Sequence, residues 1–257
     1  MTYFAFLTCF VLPPLVLVGR LVAVASHPSR ATRHGRTEAV ALIVMLGLAL
    51  AWTTPWDSWI IARGVWSYPD GAVVATWHGI PVEEYLFMAG QTLLVGLWTL
   101  RLVATSGTPA PAVPERFRRA ATAMAWMTAA GVGAALAATQ PSTLYLGSML
   151  AWYGPLFALQ RAVGADILRA WSPMRWRALV PVAYLWCVDR VAIGAGTWSI
   201  SEQHTSGLRV GGLPVEEMVF FLLTSMLVVD GLLLALHPAT AVRLHRSGLV
   251  PRTHRET

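Results

Sequence analysis

The sequence predicts an all-α polytopic membrane protein: seven transmembrane helices, arranged as two parallel three-helix repeats plus a linking helix. Three observations carry that expectation. Of 257 residues, 56% are hydrophobic and 12% charged, about half the charge of an ordinary globular chain. The apolar residues fall in runs near the ~20 residues that cross a bilayer, at 3–25, 38–61, 82–104, 118–138, 143–164, 176–196 and 215–236. One stretch also occurs twice: Gly79-Ile80-Pro81-Val82-Glu83-Glu84-Tyr85-Leu86-Phe87 returns as Gly212-Leu213-Pro214-Val215-Glu216-Glu217-Met218-Val219-Phe220.

The duplication reaches beyond that motif. Asp57, Gly64, Trp66 and Ser67 match Asp189, Gly196, Trp198 and Ser199 at an offset of 132, and the acid motifs follow at 133. Upstream, Pro14-Leu15 and Arg20 match Pro155-Leu156 and Arg161 at 141. Ordered matches with the slack confined to loops read as tandem duplication. Three spans, one linking span and three spans give both copies the same orientation, so both Glu-Glu pairs face one side of the membrane. The expected units are a first repeat at 1–105, a linker with its linking helix at 106–141, a second repeat at 142–238 and a polar cytoplasmic tail at 239–257, frayed from His237 onward. Residues 26–38 and 106–115 read as mobile connections, rich in Pro, Gly and polar residues.

Charge placement sets the orientation. The chain has no lysine; its 19 basic residues are arginines. Four follow each of spans one, three, five and seven, whereas only Arg63 and Arg209 lie on the other side and Arg190 lies within span six. The positive-inside rule then puts the N-terminus outside and the C-terminus in the cytoplasm of an integral membrane protein, in a bacterial or archaeal cell membrane. Basic residues spread over four span-flanking loops give no nucleic-acid surface. Met1-Thr2 supplies no basic leader ahead of span one, which is expected to be retained. Cys9 and Cys187 are isolated, and the histidines have no ligand spacing, so no metal is expected. His78, beside the first motif, reads as an interfacial hydrogen-bonding residue, and Trp52, Trp77 and Trp98 as an interfacial belt.

The acid motifs hold the chemistry. Pro81 and Pro214 suit a first helical position, which sets Glu83, Glu84, Glu216 and Glu217 in the first turns of apolar helices. Acids there gain ~0.3–1 kcal/mol from the helix dipole, but a duplicated pair at a membrane edge points to function. Phe87 and Met88 share a helical face with Glu84, as Phe220 and Phe221 do with Glu217. A carboxyl group in a dry pocket keeps its proton, and neighbouring rings stabilise a developing carbocation. Asp57 and Asp189, near the ends of spans two and six, are candidate supporting acids that bond the glutamates or act as acids themselves; Arg190 is a candidate neutralising partner.

Several classes are excluded. A retinal Schiff base needs a lysine. Mg-diphosphate prenyl transfer needs paired aspartates, and Asp57 and Asp189 stand alone. No Gly-rich phosphate loop or dinucleotide fingerprint occurs, so no nucleotide or flavin cofactor is expected. What remains is cofactor-free acid–base chemistry on a lipophilic molecule.

The duplicated Pro-x-Glu-Glu, followed by Phe or Phe-Phe within repeated three-span units, resembles the heterodimer-type carotenoid (lycopene) cyclases in their fused form, over nearly the whole chain. The first copy departs from the second, with Tyr85-Leu86-Phe87-Met88 against Met218-Val219-Phe220-Phe221. The resemblance implies β-ring closure on the ψ ends of lycopene by proton-initiated cation–olefin cyclisation and deprotonation, with no cofactor. It maps the acid motif onto Glu83, Glu84, Glu216 and Glu217, with Glu83 and Glu216 the obligatory members, and makes Phe87, Phe220, Phe221, Trp66 and Trp198 candidate cation-stabilising residues. The implied partners are a linear carotenoid within the bilayer, membrane lipid, and other carotenoid enzymes or a second copy of the chain. Parallel repeats imply one composite site fed by acids from both halves. Alternatives are an end-group hydratase of the same superfamily, a carrier for a small lipophilic molecule, and a structural subunit of a pigment pathway.

Overall fold

A computed structural model describes residues 1–25, 34–106, 109 and 115–246. Most of the two connections expected to be mobile, and the chain beyond Arg246, lie outside the described residues.

Helix α1 (Tyr3–Phe6) starts where Thr2 Oγ1 accepts a hydrogen bond from the Ala5 amide at 3.3 Å. It continues through a π-helical turn, Leu7–Val11, into α2 (Leu12–Ala25). The turn has a local cause. Pro13 and Pro14 lack N–H groups, so carbonyls four residues back lose their helical donors. The Phe10 carbonyl instead accepts from the Tyr184 hydroxyl at 2.7 Å. Then follow α3 (His34–Ala62), β1 (Trp66–Ser67), β2 (Thr76–Trp77), β3 (Ile80–Pro81), α4 (Val82–Ser106), α5 (Arg116–Thr139) and α6 (Leu144–Ala170). The chain ends with α7 (Ser172–Ala178), α8 (Val180–Gly194), β4 (Ser199–Ile200), β5 (Arg209–Val210), β6 (Leu213–Pro214), α9 (Val215–Leu236) and α10 (Pro238–Arg246).

Among the described residues, five helices are long and apolar enough to cross a membrane: Tyr3–Ala23, Gly35–Ala62, Val82–Ser106, Arg116–Thr139 and Val215–Leu236. The other two expected spans are helical but less clear-cut. Helix α6 carries Arg161, Asp166 and Arg169 and kinks at Gly164. Helix α8 has 15 residues, about 22 Å at 1.5 Å per residue. Helices α5 and α6 pair closely because small residues face each other: a Cβ on Gly147 would lie 2.6 Å from the Gly133 carbonyl, and one on Gly154 2.7 Å from the Ala130 Cβ.

Two features amend the all-α expectation. The loops at the acid-motif end contain three antiparallel two-residue pairs, β1–β4, β2–β3 and β5–β6. In β1–β4, Ser67 lies opposite Ser199 and their hydroxyls are 2.8 Å apart. The expectation that the chain frays from His237 is also corrected: α10 is held by packing and charge. Thr240 is buried, and Arg243 forks onto the Asp166 carboxylate, with Nη1–Oδ1 at 2.8 Å. Burial, then the nearby Arg243, lowers the His237 pKa, and its Nδ1 accepts from the Ala239 amide at the helix start.

The interior has two apolar clusters. One, rich in aromatic rings, includes Tyr3, Phe6, Trp56, Phe87, Tyr145 and Phe220 and surrounds the acid-motif end. The other includes Val95, Ile167, Trp171 and Leu232 at the far end. There Asp230, fully buried, is held by Arg161 at 2.8 Å and by Arg175 at 2.5 and 2.9 Å, tying α6, α7 and α9 together. Removing one member of a buried ion pair strands the others, at a cost of about 3–5 kcal/mol. Asp230→Asn should therefore lower the thermal midpoint of the detergent-solubilised protein by many degrees; an unchanged midpoint would show that the arginines find other partners.

Candidate active site

Each acid motif enters its helix from a tight hairpin. Thr76 pairs with Pro81 and Trp77 with Ile80; Arg209 pairs with Pro214 and Val210 with Leu213. The turns are His78-Gly79 (φ 52° and 77°) and Gly211-Gly212 (φ 59° and 88°). A two-residue turn with positive φ at both positions is type I′, which explains the glycine opening each motif. His78 occupies the first turn position with its ring exposed, and its carbonyl accepts from Ser58 Oγ at 2.8 Å. The prolines sit one residue earlier than expected, still in the strands. The first helical amides, of Val82 and Val215, bond back to the Ala75 and Leu208 carbonyls at 3.0 Å, so the backbone stays extended through the proline.

This entry sends the two acids of each pair to different places. Glu83 Oε1 accepts from the Val74 amide at 2.8 Å, and Glu216 Oε1 from the Ser206 amide at 2.7 Å. The first glutamate of each pair thus ties down the loop before it. The second glutamates face inward. Glu84 Oε2 accepts from the Tyr3 hydroxyl at 2.7 Å and the Tyr68 hydroxyl at 3.0 Å. Glu217 Oε1 accepts from the Trp66 indole N–H at 3.1 Å, a bond from the first copy's loop to the second copy's acid. The buried Tyr145 hydroxyl lies beside Glu217. Burial, with the Glu84 carboxyl beside it, raises the Tyr68 phenol well above its ordinary pKa, so it remains a donor.

The aspartates lie close behind. Asp57 is fully buried, has no hydrogen-bond partner, and has Glu84 and Glu217 as electrostatic neighbours. Asp189 Oδ1 accepts from the Trp198 indole at 3.0 Å while Oδ2 is unpaired. Neither bonds a glutamate. Arg190 does not neutralise Asp189: its Nε donates to the Gly211 carbonyl at 2.9 Å, because the hairpin carbonyl lies within its reach. All six acids are at most 6% exposed, and the ion pairs among the described residues lie elsewhere.

Glu84, Glu217 and Asp189 line one small cavity with Tyr3, Trp66, Tyr68, Phe87, Trp198, Phe220 and Phe221. The five candidate cation-stabilising residues, Phe87, Phe220, Phe221, Trp66 and Trp198, therefore all border it. Trp66 meets Phe220 at 5.4 Å, Phe220 meets Phe221 at 5.3 Å, and Phe87 meets Phe221 at 5.9 Å between ring centroids. Trp198 is held by Tyr3 and Phe6, each at 4.9 Å. Among the described residues, no three His, Cys, Asp or Glu side chains group to hold a metal ion. Such a box can deliver a proton, surround a cation with ring faces, and take a proton back.

The sequence reading missed three hydroxyls: Tyr3, Tyr68 and Tyr145. A signal existed. The π turn adds one residue to the first copy, so the offset of 141 at Pro14 becomes 142 before the turn, which aligns Tyr3 with Tyr145.

A family model described as Lycopene cyclase matches residues 1–102 and 142–232. The chain belongs to the lycopene cyclase family. It is 41% identical over 238 residues to a lycopene beta-cyclase of Halobacterium salinarum, covering 91% of this chain and 95% of that one. It is 33% identical to a bifunctional lycopene cyclase/phytoene synthase of Aspergillus niger, over 74% of this chain and 34% of the other. A protein of the same description from Phaffia rhodozyma is 32% identical, over 79% and 33%. No solved structure matches the chain.

A hydrogen bond to a charged group contributes about 1.5–3 kcal/mol. Tyr3→Phe and Tyr68→Phe should each lower turnover ~10–100-fold while leaving membrane insertion intact. Unchanged turnover in both would show that Glu84 needs no phenol donor.

Proposed function

We propose that the chain is a lycopene β-cyclase whose ring closure takes place in the cavity where the inner glutamates of both motifs meet. That convergence is the observation that carries the reading. Glu217, which accepts the Trp66 indole hydrogen bond, is the proton source. It protonates the terminal double bond of a ψ end, and the tertiary cation forms against Phe220, Phe221, Phe87, Trp66 and Trp198. The neighbouring alkene supplies its π electrons to close the six-membered ring, moving the charge to a ring carbon. Glu84, whose Oε2 receives two phenol hydrogen bonds, accepts the proton lost as the new double bond forms. Atoms and electrons balance without a redox partner. Glu83 and Glu216 are positioning residues acting through the loops at Val74 and Ser206; Asp57 and Asp189 support the carboxyl cluster.

The same reading sets the chain in the membrane as seven crossings, with α6 and the α7–α8 segment completing the five apolar helices. Two parallel three-helix repeats, 1–105 and 142–238, flank the linking helix within 106–141. Supporting this, residues matched between the copies meet each other: Ser67 opposite Ser199, and Gln91 Nε2 donating to Thr224 Oγ1 at 2.7 Å. Such self-contacts are what a two-fold relation between the halves produces. The N-terminus lies outside and the C-terminus, with α10, in the cytoplasm. The hydratase and carrier readings are not favoured: the relatives named above are cyclases, and an aromatic wall around buried acids keeps out the water a hydratase must admit.

In lycopene-accumulating cells the chain should produce cyclic carotene, and stripped membranes should need no added flavin or nicotinamide. Glu84→Gln and Glu217→Gln should each reduce cyclisation ~10²–10⁴-fold. Glu83→Gln and Glu216→Gln keep a carbonyl acceptor for the loop amide and should lose far less; the reverse order would move the proton transfers to the outer glutamates. Two independent sites would instead leave about half the activity in each inner-glutamate variant, with only the double variant inactive. A reporter fused after Arg118 should report cytoplasm and one at Gly207 the outer side; the opposite pattern would overturn the orientation.

A further inference from the structure

Next to the acid cavity lies a much larger cleft between α3, α4, α6 and α9. Its wall is mainly aliphatic, with Leu48, Leu156, Leu159, Val163, Val228 and Leu234 among the lining residues. Polar side chains in the wall are engaged sideways. Gln91 donates to Thr224, and Gln160 Nε2 donates to the Leu227 carbonyl at 2.9 Å. Leu48 and Leu159 are 56% and 61% exposed, so the cleft opens toward the surface a bilayer would cover. Phe220 borders both cavities.

We infer that this cleft holds the unreacted length of the linear polyene while its end sits among the acids, with Phe220 dividing the two compartments. The inference rests on the cyclase reading and gives the rest of the substrate a place. The dimensions agree. From Glu217 to Leu234, α9 advances seventeen residues, about 25 Å at 1.5 Å per residue. A C40 polyene is about as long as the ~30 Å hydrocarbon core. The end in the acid cavity and the remainder along α9 together account for that length. An apolar chain also suits a wall in which Gln91 and Gln160 are already engaged with protein acceptors. Along this wall Gly231 packs against Met45: a Cβ there would come within 2.5 Å of Met45 Sδ, so a larger side chain would push itself or Met45 into the cleft. The competing occupant is a membrane lipid chain, which would leave the polyene outside.

The test uses the full-length protein in lycopene-accumulating cells, with pigments separated by chromatography. Gly231→Leu should reduce cyclised product at least ten-fold at equal membrane abundance. Adding Met45→Ala, which removes the side chain facing position 231, should restore most of the loss; both variants should keep the unaltered protein's thermal midpoint, which a packing defect would lower. Wild-type conversion by Gly231→Leu, or a loss that Met45→Ala fails to relieve, would overturn the assignment of the cleft and leave a lipid chain as its occupant. If the unaltered protein forms no cyclic product, it is the cyclase reading that fails.

Discussion

The structure depends on keeping carboxyl groups out of water with no cation beside them. Six acids are buried at one end of the bundle, and each described arginine ion pair is elsewhere. A solitary carboxylate in such a place is costly unless it is hydrogen-bonded or protonated. The fold answers with neutral donors: two phenols on Glu84, an indole on Glu217, another on Asp189, and loop amides on Glu83 and Glu216. Neutral donors hold an acid in place without quenching it. An arginine there would fix the charge and prevent the group from giving up a proton to an alkene.

The opposite end of the bundle shows the contrast. Asp230 and Asp166 are equally buried but are clamped by Arg161, Arg175 and Arg243. These pairs fasten helices. One chain thus treats the same functional group in two ways, and the difference lies in where its arginines fall. Three of the arginines counted by the positive-inside rule, Arg161, Arg175 and Arg243, thus tie helices together at the far end.

Much of this was legible in the sequence, for physical reasons. Apolar runs near bilayer length located the helices within a few residues, and duplication of Glu-Glu beside Phe identified the acids and rings that border the cavity. The rest depended on signals shorter than a helix. His78-Gly79 and Gly211-Gly212 encode type I′ turns, but two-residue strands leave no periodic trace around them. Tyr68 lies in a loop, where neither period nor neighbour marks it. Arg190 stands next to Asp189 in sequence, yet on a helix adjacent residues point about 100° apart, and its guanidinium reaches a hairpin carbonyl instead. Helix α10 sits in a polar stretch and is held by partners on α6.

The π turn at Leu7–Val11 has a consequence for the direction of the chemistry. Two identical halves would present two identical carboxyls, and neither would be distinguished as the one that gives or the one that takes. One additional residue, forced by Pro13-Pro14, breaks that equivalence. On the irregular first helix the Tyr3 hydroxyl donates to Glu84 at 2.7 Å; the matching Tyr145 lies on α6 beside Glu217. A duplicated fold thereby holds its two inner carboxyls in unlike surroundings.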